Sequence, residues 1–112
     1  MKKICFDIDG VICDTNKSNY KKSIPIIKNI KIINKLYEKN IIILYTARCM
    51  GRTNDNIKRA EKIIKILTIS QLKNWKVKYH KIFFGKPSYD LVIDDRSLFF
   101  KKNWNKKLNN YL

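Results

Sequence analysis

Acidic side chains are scarce in this chain and are concentrated beside two of its predicted strands. Only 9 Asp and Glu residues occur among 112. Five of them lie at or just beyond the ends of the predicted first and fourth strands, namely Asp7, Asp9, Asp14, Asp94 and Asp95. Carboxylates that are brought together repel each other, so they need a cation, protons or hydrogen bonds to coexist. A set of oxygen ligands without His or Cys favours a hard cation, and the pattern therefore predicts a Mg²⁺ site.

Other polar residues follow the remaining predicted strands. Thr46 ends the second strand, and Gly85, Lys86 and Pro87 follow the third. In open α/β sheets, ligands bind at the carboxyl ends of the strands. A hydroxyl group and an ammonium group at that edge are suited to binding the oxygens of a phosphoryl group. We therefore expect an anion to bind beside the metal.

The elements that must position these residues alternate between strands and helices. Short apolar runs at residues 3–8, 41–45, 81–84 and 91–93 predict four strands. Helical spacing predicts a helix that starts at Ser23 and Pro25 and ends near residue 39, and a second helix over 54–67. The capping-box spacing of Thr68 and Gln71 predicts a short third helix through residue 75. Residues 101–110 are expected to form a loose terminal helix or tail.

This alternation predicts an α/β fold, with a parallel sheet flanked by helices. A chain of 112 residues is the length of one domain, so we expect a single domain over residues 1–112. The longest apolar run is five residues, which is too short to cross a bilayer, and the N-terminus has no apolar core of signal-peptide length. We expect a cytoplasmic protein with no membrane partner. Its three cysteines, with no CxxC pair, are expected to be reduced.

The net charge of +16 has two possible explanations. A basic surface is the usual electrostatic footprint of nucleic-acid binding. However, 21 of the 25 basic residues are Lys and only 4 are Arg, and they accompany 19 Ile and 12 Asn, which are residues of AT-rich codons. Arginine makes the bidentate contacts to phosphates and guanine edges. We therefore attribute much of the charge to composition and expect no specific nucleic-acid partner.

Four motifs resemble, in order, those of the haloacid dehalogenase (HAD) superfamily of phosphatases. They are Asp7-Ile8-Asp9-Gly10, Thr46, Gly85-Lys86-Pro87 and Ile93-Asp94-Asp95, each at the end of a predicted strand. More narrowly, Tyr45-Thr46-Ala47-Arg48 and Gly85-Lys86-Pro87-Ser88-Tyr89-Asp90 are similar to small HAD phosphatases encoded with capsular-polysaccharide biosynthesis enzymes. The chain departs from that subgroup at Cys49, where the subgroup commonly has Gly.

The resemblance implies a Rossmann-like HAD core and hydrolysis of a phosphomonoester through an aspartyl-phosphate on Asp7. It implies that Asp9 protonates the leaving alkoxide and later takes a proton from the attacking water. Thr46 and Lys86 would bind the phosphoryl oxygens and Arg48 the substrate. The implied Mg²⁺ ligands are Asp7, the backbone carbonyl of Asp9, Asp94 and, directly or through water, Asp95.

The intervals between the motifs leave no room for a cap domain. An uncapped site suits a bulky substrate or a cleft completed by a neighbouring subunit, so a homo-oligomer is possible. The leading substrate is a phosphorylated sugar or sugar-linked metabolite of capsular-polysaccharide biosynthesis. The alternatives are a nucleotide or polynucleotide-end phosphatase and a non-catalytic basic binding module. Asp14 and Arg48 lie in loops expected to face the pocket and could contact the substrate; equally, Asp14 could stabilise a turn and Arg48 could be solvated. His80 is expected to lie at an edge or to support a site residue without contacting the ligand, and is assigned no chemistry.

Overall fold

Strands and helices alternate along the chain in the computed structural model, which describes residues 1–100 and 104–112. In chain order the elements are β1 (Lys3–Phe6), β2 (Cys13–Asp14), β3 (Ile24–Pro25), α1 (Ile27–Tyr37), β4 (Ile41–Thr46), α2 (Ile57–Asn74) and β5 (Lys81–Phe84). Short 3-10 helices lie at Tyr20–Lys22, Gly51–Thr53 and Trp104–Tyr111. The predicted α/β class is confirmed.

The central sheet has three strands in the order β1-β4-β5. Both pairings are parallel, with Lys3 opposite Ile41 and Thr46 opposite Phe84. The carboxyl ends of the three strands therefore lie at one edge of the sheet. The α1 helix connects β1 to β4 and α2 connects β4 to β5, which is the crossover arrangement that parallel strands require. A separate antiparallel pair is formed by β2 and β3.

Both long helices form, but their bounds differ from the prediction. The first helix begins at Ile27, because Ile24 and Pro25 pair with β2 as strand β3. The predicted second and third helices are one continuous helix, α2, which starts after the N-cap Asn56. The side chain of Asn56 accepts the N–H of Arg59 at 3.1 Å. Thr68 is a fully buried residue within this helix and does not open a new one.

The main core lies between the sheet and α1. It contains Phe6, Ile33, Leu36, Ile42 and Leu44, with ten or more further apolar side chains around them. A second cluster forms around Met50, Ala60, Ile64 and Phe84 on the α2 side. The first cluster holds β4 through Ile42 and Leu44, and the second joins the loop after β4 to α2 and β5.

The C-terminal segment contributes to the main core. Trp104 is 6% exposed, and its ring meets that of Phe6 edge-on, with centroids 6.0 Å apart. Leu108 is also buried. The buried amide of Asn40 donates to the carbonyls of Leu36 and Tyr111, at 3.1 and 2.8 Å. Of the loose terminal helix or tail expected for residues 101–110, a helix is present at Trp104–Tyr111, but it packs on the main core and is not loose; residues 101–103 lie outside the described residues.

The predicted fourth strand is absent from the part of the chain that the structure describes. Residues 91–93 have no strand hydrogen bonding, and Leu91 and Ile93 are 77% and 91% exposed. The apolar run predicts a buried strand, but an apolar run does not reveal whether a sheet edge is available to pair with it. Among the described residues, no helix is long and apolar enough to cross a membrane.

Candidate active site

Asp7 and Lys86 meet at the carboxyl edge of the sheet. Asp7 directly follows β1, and Lys86 lies two residues beyond β5. The ammonium Nζ of Lys86 lies 3.4 Å from Oδ2 of Asp7, and the two side chains are 19% and 35% exposed. The backbone N–H of Lys86 donates to the Thr46 carbonyl at 3.0 Å, which fixes the loop after β5 against β4. Two residues 79 positions apart in the sequence thus form one half-open charged pair.

Burial and charge act in opposite directions on this pair. Burial raises the pKa of Asp7, and it outweighs the opposing effects of the Lys86 charge and of the hydrogen bond from the Ile8 amide. Burial also disfavours charged Lys86, but its interaction with Tyr89 and the charge of Asp7 raise its pKa overall. Lys86 is therefore firmly cationic, whereas ionised Asp7 would be favoured by a further cation nearby.

Asp9 lies in the tight turn that follows β1. Gly10 in this turn has φ +90°, and its N–H donates to the Cys13 carbonyl at 2.7 Å. The Asp9 carboxylate is bound from two sides. The Thr15 hydroxyl donates to its Oδ1 at 2.6 Å, and Arg48 contacts both oxygens, with Nε 3.0 Å from Oδ2 and the NH2 nitrogen 3.0 Å from Oδ1.

Arg48 is buried, and its guanidinium is engaged on every side. Its side chain has 0% exposure. Besides the pair with Asp9, the NH1 nitrogen donates to the Thr68 hydroxyl at 3.1 Å and to Oε1 of Gln71 at 2.6 Å, both on α2. The guanidinium also lies 4.9 Å from the centre of the Tyr20 ring. The sequence left open whether Arg48 is solvated or binds the substrate. Neither role fits this placement, because no surface of the guanidinium reaches solvent.

Thr46 is fully buried at the end of β4. Its hydroxyl accepts the backbone N–H of Arg48 at 3.1 Å, so it shapes the loop that delivers Arg48. The predicted contact between this hydroxyl and a phosphoryl oxygen is not available while Thr46 has no exposed surface. Cys49 follows in the same loop with φ +63°, in the left-handed region that favours glycine.

Asp94 and Asp95 are not brought to this edge. Both are exposed, and Oδ1 of Asp94 accepts the backbone N–H of Arg96 at 2.9 Å in a local turn. Within residues 1–100 and 104–112, no group of three or more His, Cys, Asp or Glu side chains could hold a metal ion. The expected gathering of five carboxylates is therefore not assembled, because the fourth strand that would deliver two of them does not form.

The other residues considered from the sequence lie outside the Asp7–Lys86 and Asp9–Arg48 pairs. Asp14 is exposed on β2. His80 accepts the N–H of Ile42 through Nδ1 at 3.0 Å and stacks on Tyr37 with ring centroids 4.3 Å apart. All three cysteines are free thiols, with Cys5 exposed and the other two buried.

Sequence reasoning missed the residues that surround Asp9 and Arg48. These are Thr15, Tyr20, Thr68 and Gln71. A signal was present for two of them, because Thr68 and Gln71 lie three residues apart on the buried stripe of α2, where a polar residue needs a partner. The capping-box interpretation of the same two residues concealed that signal.

Comparisons with known proteins identify a fold relative but no family. No protein-family model matches the chain, and no curated protein matches it. A crystal structure of an MCSG target from Vibrio cholerae is similar, with a TM-score of 0.78 and 26% sequence identity over 96% of each chain.

Proposed function

We propose that this protein is a Mg²⁺-dependent phosphomonoester hydrolase that works through an aspartyl-phosphate on Asp7. The observation that carries the proposal is the pairing of a half-buried carboxylate with an ammonium group 3.4 Å away, at the carboxyl edge of a parallel sheet. Such an edge is where α/β proteins bind ligands. The carboxylate provides a nucleophile, and the ammonium group provides the charge that attracts a phosphate to it.

In the first step an oxygen of Asp7 attacks phosphorus and the bond from phosphorus to the leaving oxygen breaks. The electron pair of that bond goes to the leaving oxygen, which takes a proton from Asp9. Asp9 is suited to this role by position, since it lies two residues from Asp7 in the turn after the same strand and is 28% exposed. Lys86 stays paired with the charge that moves from Asp7 to the phosphoryl group.

In the second step a water molecule attacks the phosphorus of the aspartyl-phosphate. Asp9 now accepts a proton from this water, and the bond between phosphorus and the Asp7 oxygen breaks to release inorganic phosphate. Asp9 is again protonated and Asp7 again ionised, so the cycle closes without an external reagent.

The carboxylate of Asp7 is a suitable single ligand for a magnesium ion. This ion is held in many phosphoryl-transfer sites by only one or two carboxylates plus waters and phosphate oxygens. By the family resemblance, the Asp7 carboxylate and the Asp9 backbone carbonyl would be the protein ligands. A cation there would offset the burial that raises the pKa of Asp7. Bound there, Mg²⁺ would neutralise charge on the transferring phosphoryl group. Asp94 and Asp95 would add ligands only after residues 91–95 approach β1.

The substrate class proposed from the family resemblance is a phosphorylated sugar or sugar-linked metabolite. The half-open Asp7 and Lys86 side chains support a substrate whose leaving group extends into solvent. Phosphate release should therefore be measured with Mg²⁺ across sugar phosphates, nucleotides and phosphorylated oligonucleotides. The last two classes test the alternative that the Lys-rich surface captures a nucleotide or polynucleotide end.

The decisive experiment is trapping of the phosphoenzyme. An Asp9→Asn variant keeps the nucleophile but lacks the group that activates water, so a substrate with a good leaving group should leave a phosphoryl adduct on Asp7. Intact-mass analysis of rapidly quenched samples, followed by peptide mapping, detects it. An Asp7→Asn variant should show neither adduct nor turnover, because an amide cannot attack phosphorus.

Asp14→Asn is the matched control, since it makes the same chemical change at an exposed carboxylate of the neighbouring strand β2. It should retain wild-type turnover. Substantial phosphate release by Asp7→Asn would instead mean that water attacks the substrate directly, and the proposed mechanism would be wrong.

A further inference from the structure

The two oxygens of the Asp9 carboxylate have very different surroundings. Oδ1 lies within hydrogen-bond distance of the Thr15 hydroxyl at 2.6 Å, of the NH2 and Nε nitrogens of Arg48 at 3.0 and 3.3 Å, and of the Cys13 thiol at 3.5 Å. Oδ2 contacts only Nε of Arg48, at 3.0 Å, among the described side chains. Because a carboxylate oxygen accepts about two hydrogen bonds, Oδ1 is saturated and Oδ2 keeps a free lone pair.

Thr15 and Cys13 contact Oδ1 alone, whereas Arg48 binds both oxygens and cannot easily move. Arg48 is fully buried, and its NH1 nitrogen is held on α2 by Thr68 and Gln71. Gln71 is itself fixed, since its side-chain amide donates to the Tyr20 carbonyl at 2.6 Å. A planar guanidinium with donors in a rigid fork sets the rotation of the carboxylate it binds, which a lysine ammonium group cannot do.

We propose that Arg48 is a positioning residue for Asp9, and that it orients the carboxylate so that Oδ2 alone exchanges protons with the leaving group and the attacking water. This inference rests on the proposed function, in which Asp9 is the acid and base. It assigns no contact between Arg48 and substrate. The buried face of helix α2 thus determines, through one guanidinium, which atom of a partly exposed carboxylate reacts.

The proposal makes the effect of an Arg48 substitution depend on the leaving group. An alkoxide needs a well-placed proton donor to depart, whereas p-nitrophenolate departs without one. Arg48→Lys keeps the positive charge but loses the fork. It should therefore slow phosphorylation of Asp7 by an alkyl phosphate about 100-fold, with less than about a threefold effect for p-nitrophenyl phosphate.

The measurement is the rate of Asp7 phosphorylation in single-turnover, rapid-quench experiments with each substrate. Arg59→Lys is the matched control, since Arg59 is exposed on α2, and both of its rates should equal those of wild type. If Arg48→Lys is poorly folded by thermal melting, Thr68→Val replaces it, because it removes one hydrogen bond to Arg48 without touching Asp9. It should give the same selective loss, at about tenfold.

Equal losses with the alkyl and aryl substrates, in whichever variant is folded, would overturn the proposal, because disordered packing has no reason to distinguish leaving groups. A wild-type protein that never forms an aspartyl-phosphate would refute the proposed function separately.

A second measurement does not depend on activity. With ¹⁵N-labelled arginine, the Nε–H proton of Arg48 should exchange with water far more slowly than that of exposed Arg59, and Asp9→Asn should accelerate its exchange. Exchange as fast as that of Arg59 would show that the fork does not hold Asp9, and would overturn the inference whatever the reaction proves to be.

Discussion

Gly85 adjoins Lys86 and carries a steric constraint whose size can be worked out. It has φ +92°, and a Cβ built on it would lie 2.7 and 2.8 Å from two side-chain carbons of Ile57. Gly10 is a natural reference, because its φ is +90° but a Cβ there would meet nothing within 4 Å. An alanine substitution therefore has the same backbone free-energy cost at both glycines, but only at Gly85 does the new methyl group collide with a neighbouring side chain.

For Gly10→Ala the positive φ costs about 1–2 kcal/mol, partly offset by the reduced freedom of the unfolded chain, so we expect a loss of about 1 kcal/mol. Gly85→Ala adds overpacking, which costs about 1–3 kcal/mol. Ile57 is β-branched and stiff in the first turn of α2, so its two γ carbons cannot both turn away from the new methyl group. We expect Gly85→Ala to lose about 2–4 kcal/mol in total.

Urea denaturation of wild type, Gly85→Ala, Ile57→Ala and the double variant measures the free energy of this collision. In an Ile57→Ala background, Gly85→Ala should cost no more than Gly10→Ala costs in wild type, because the colliding carbons are gone. The reasoning is refuted if Gly85→Ala and Gly10→Ala destabilise equally, or if removing Ile57 leaves the excess cost of Gly85→Ala unchanged.

Two further predictions concern the metal and the C-terminal segment. EDTA should abolish phosphatase activity and Mg²⁺ should restore it better than Zn²⁺, since the proposed ligands are all oxygens; full activity after exhaustive chelation would contradict the metal proposal. Trp104→Ala should reduce the free energy of unfolding by about 3–5 kcal/mol in urea denaturation, because the indole packs on Phe6 in the main core. Exposed Tyr111→Ala is its control and should cost much less; no measurable loss for Trp104→Ala would contradict the prediction.

The sequence predicted the sheet strands well where each strand was a short apolar run with a clear end. The run at 81–84 coincides with β5, and the run at 41–45 with all but the last residue of β4. The prediction of a strand fails for residues 91–93. An apolar run shows that a segment is suited to a buried strand, but not that a sheet edge is free to pair with it. The sequence prediction also misassigned Ser23, which looked like a helix start but shares a hydrogen bond with Thr15 at 2.6 Å.

The sequence by itself determined the α/β class and the presence of Asp7 and Lys86 at strand ends. Both follow from local properties, namely the spacing of apolar residues in strands and helices and the polar residues that end them. Only the tertiary structure decided the partners of those residues. Asp9 and Arg48 are 39 residues apart, and nothing local indicates that an arginine beside a strand will turn inward rather than face solvent. The guanidinium turns inward because it can bind buried polar groups on α2 and a carboxylate in the turn after β1 at the same time. These groups are close to one another only after the helix packs on the sheet.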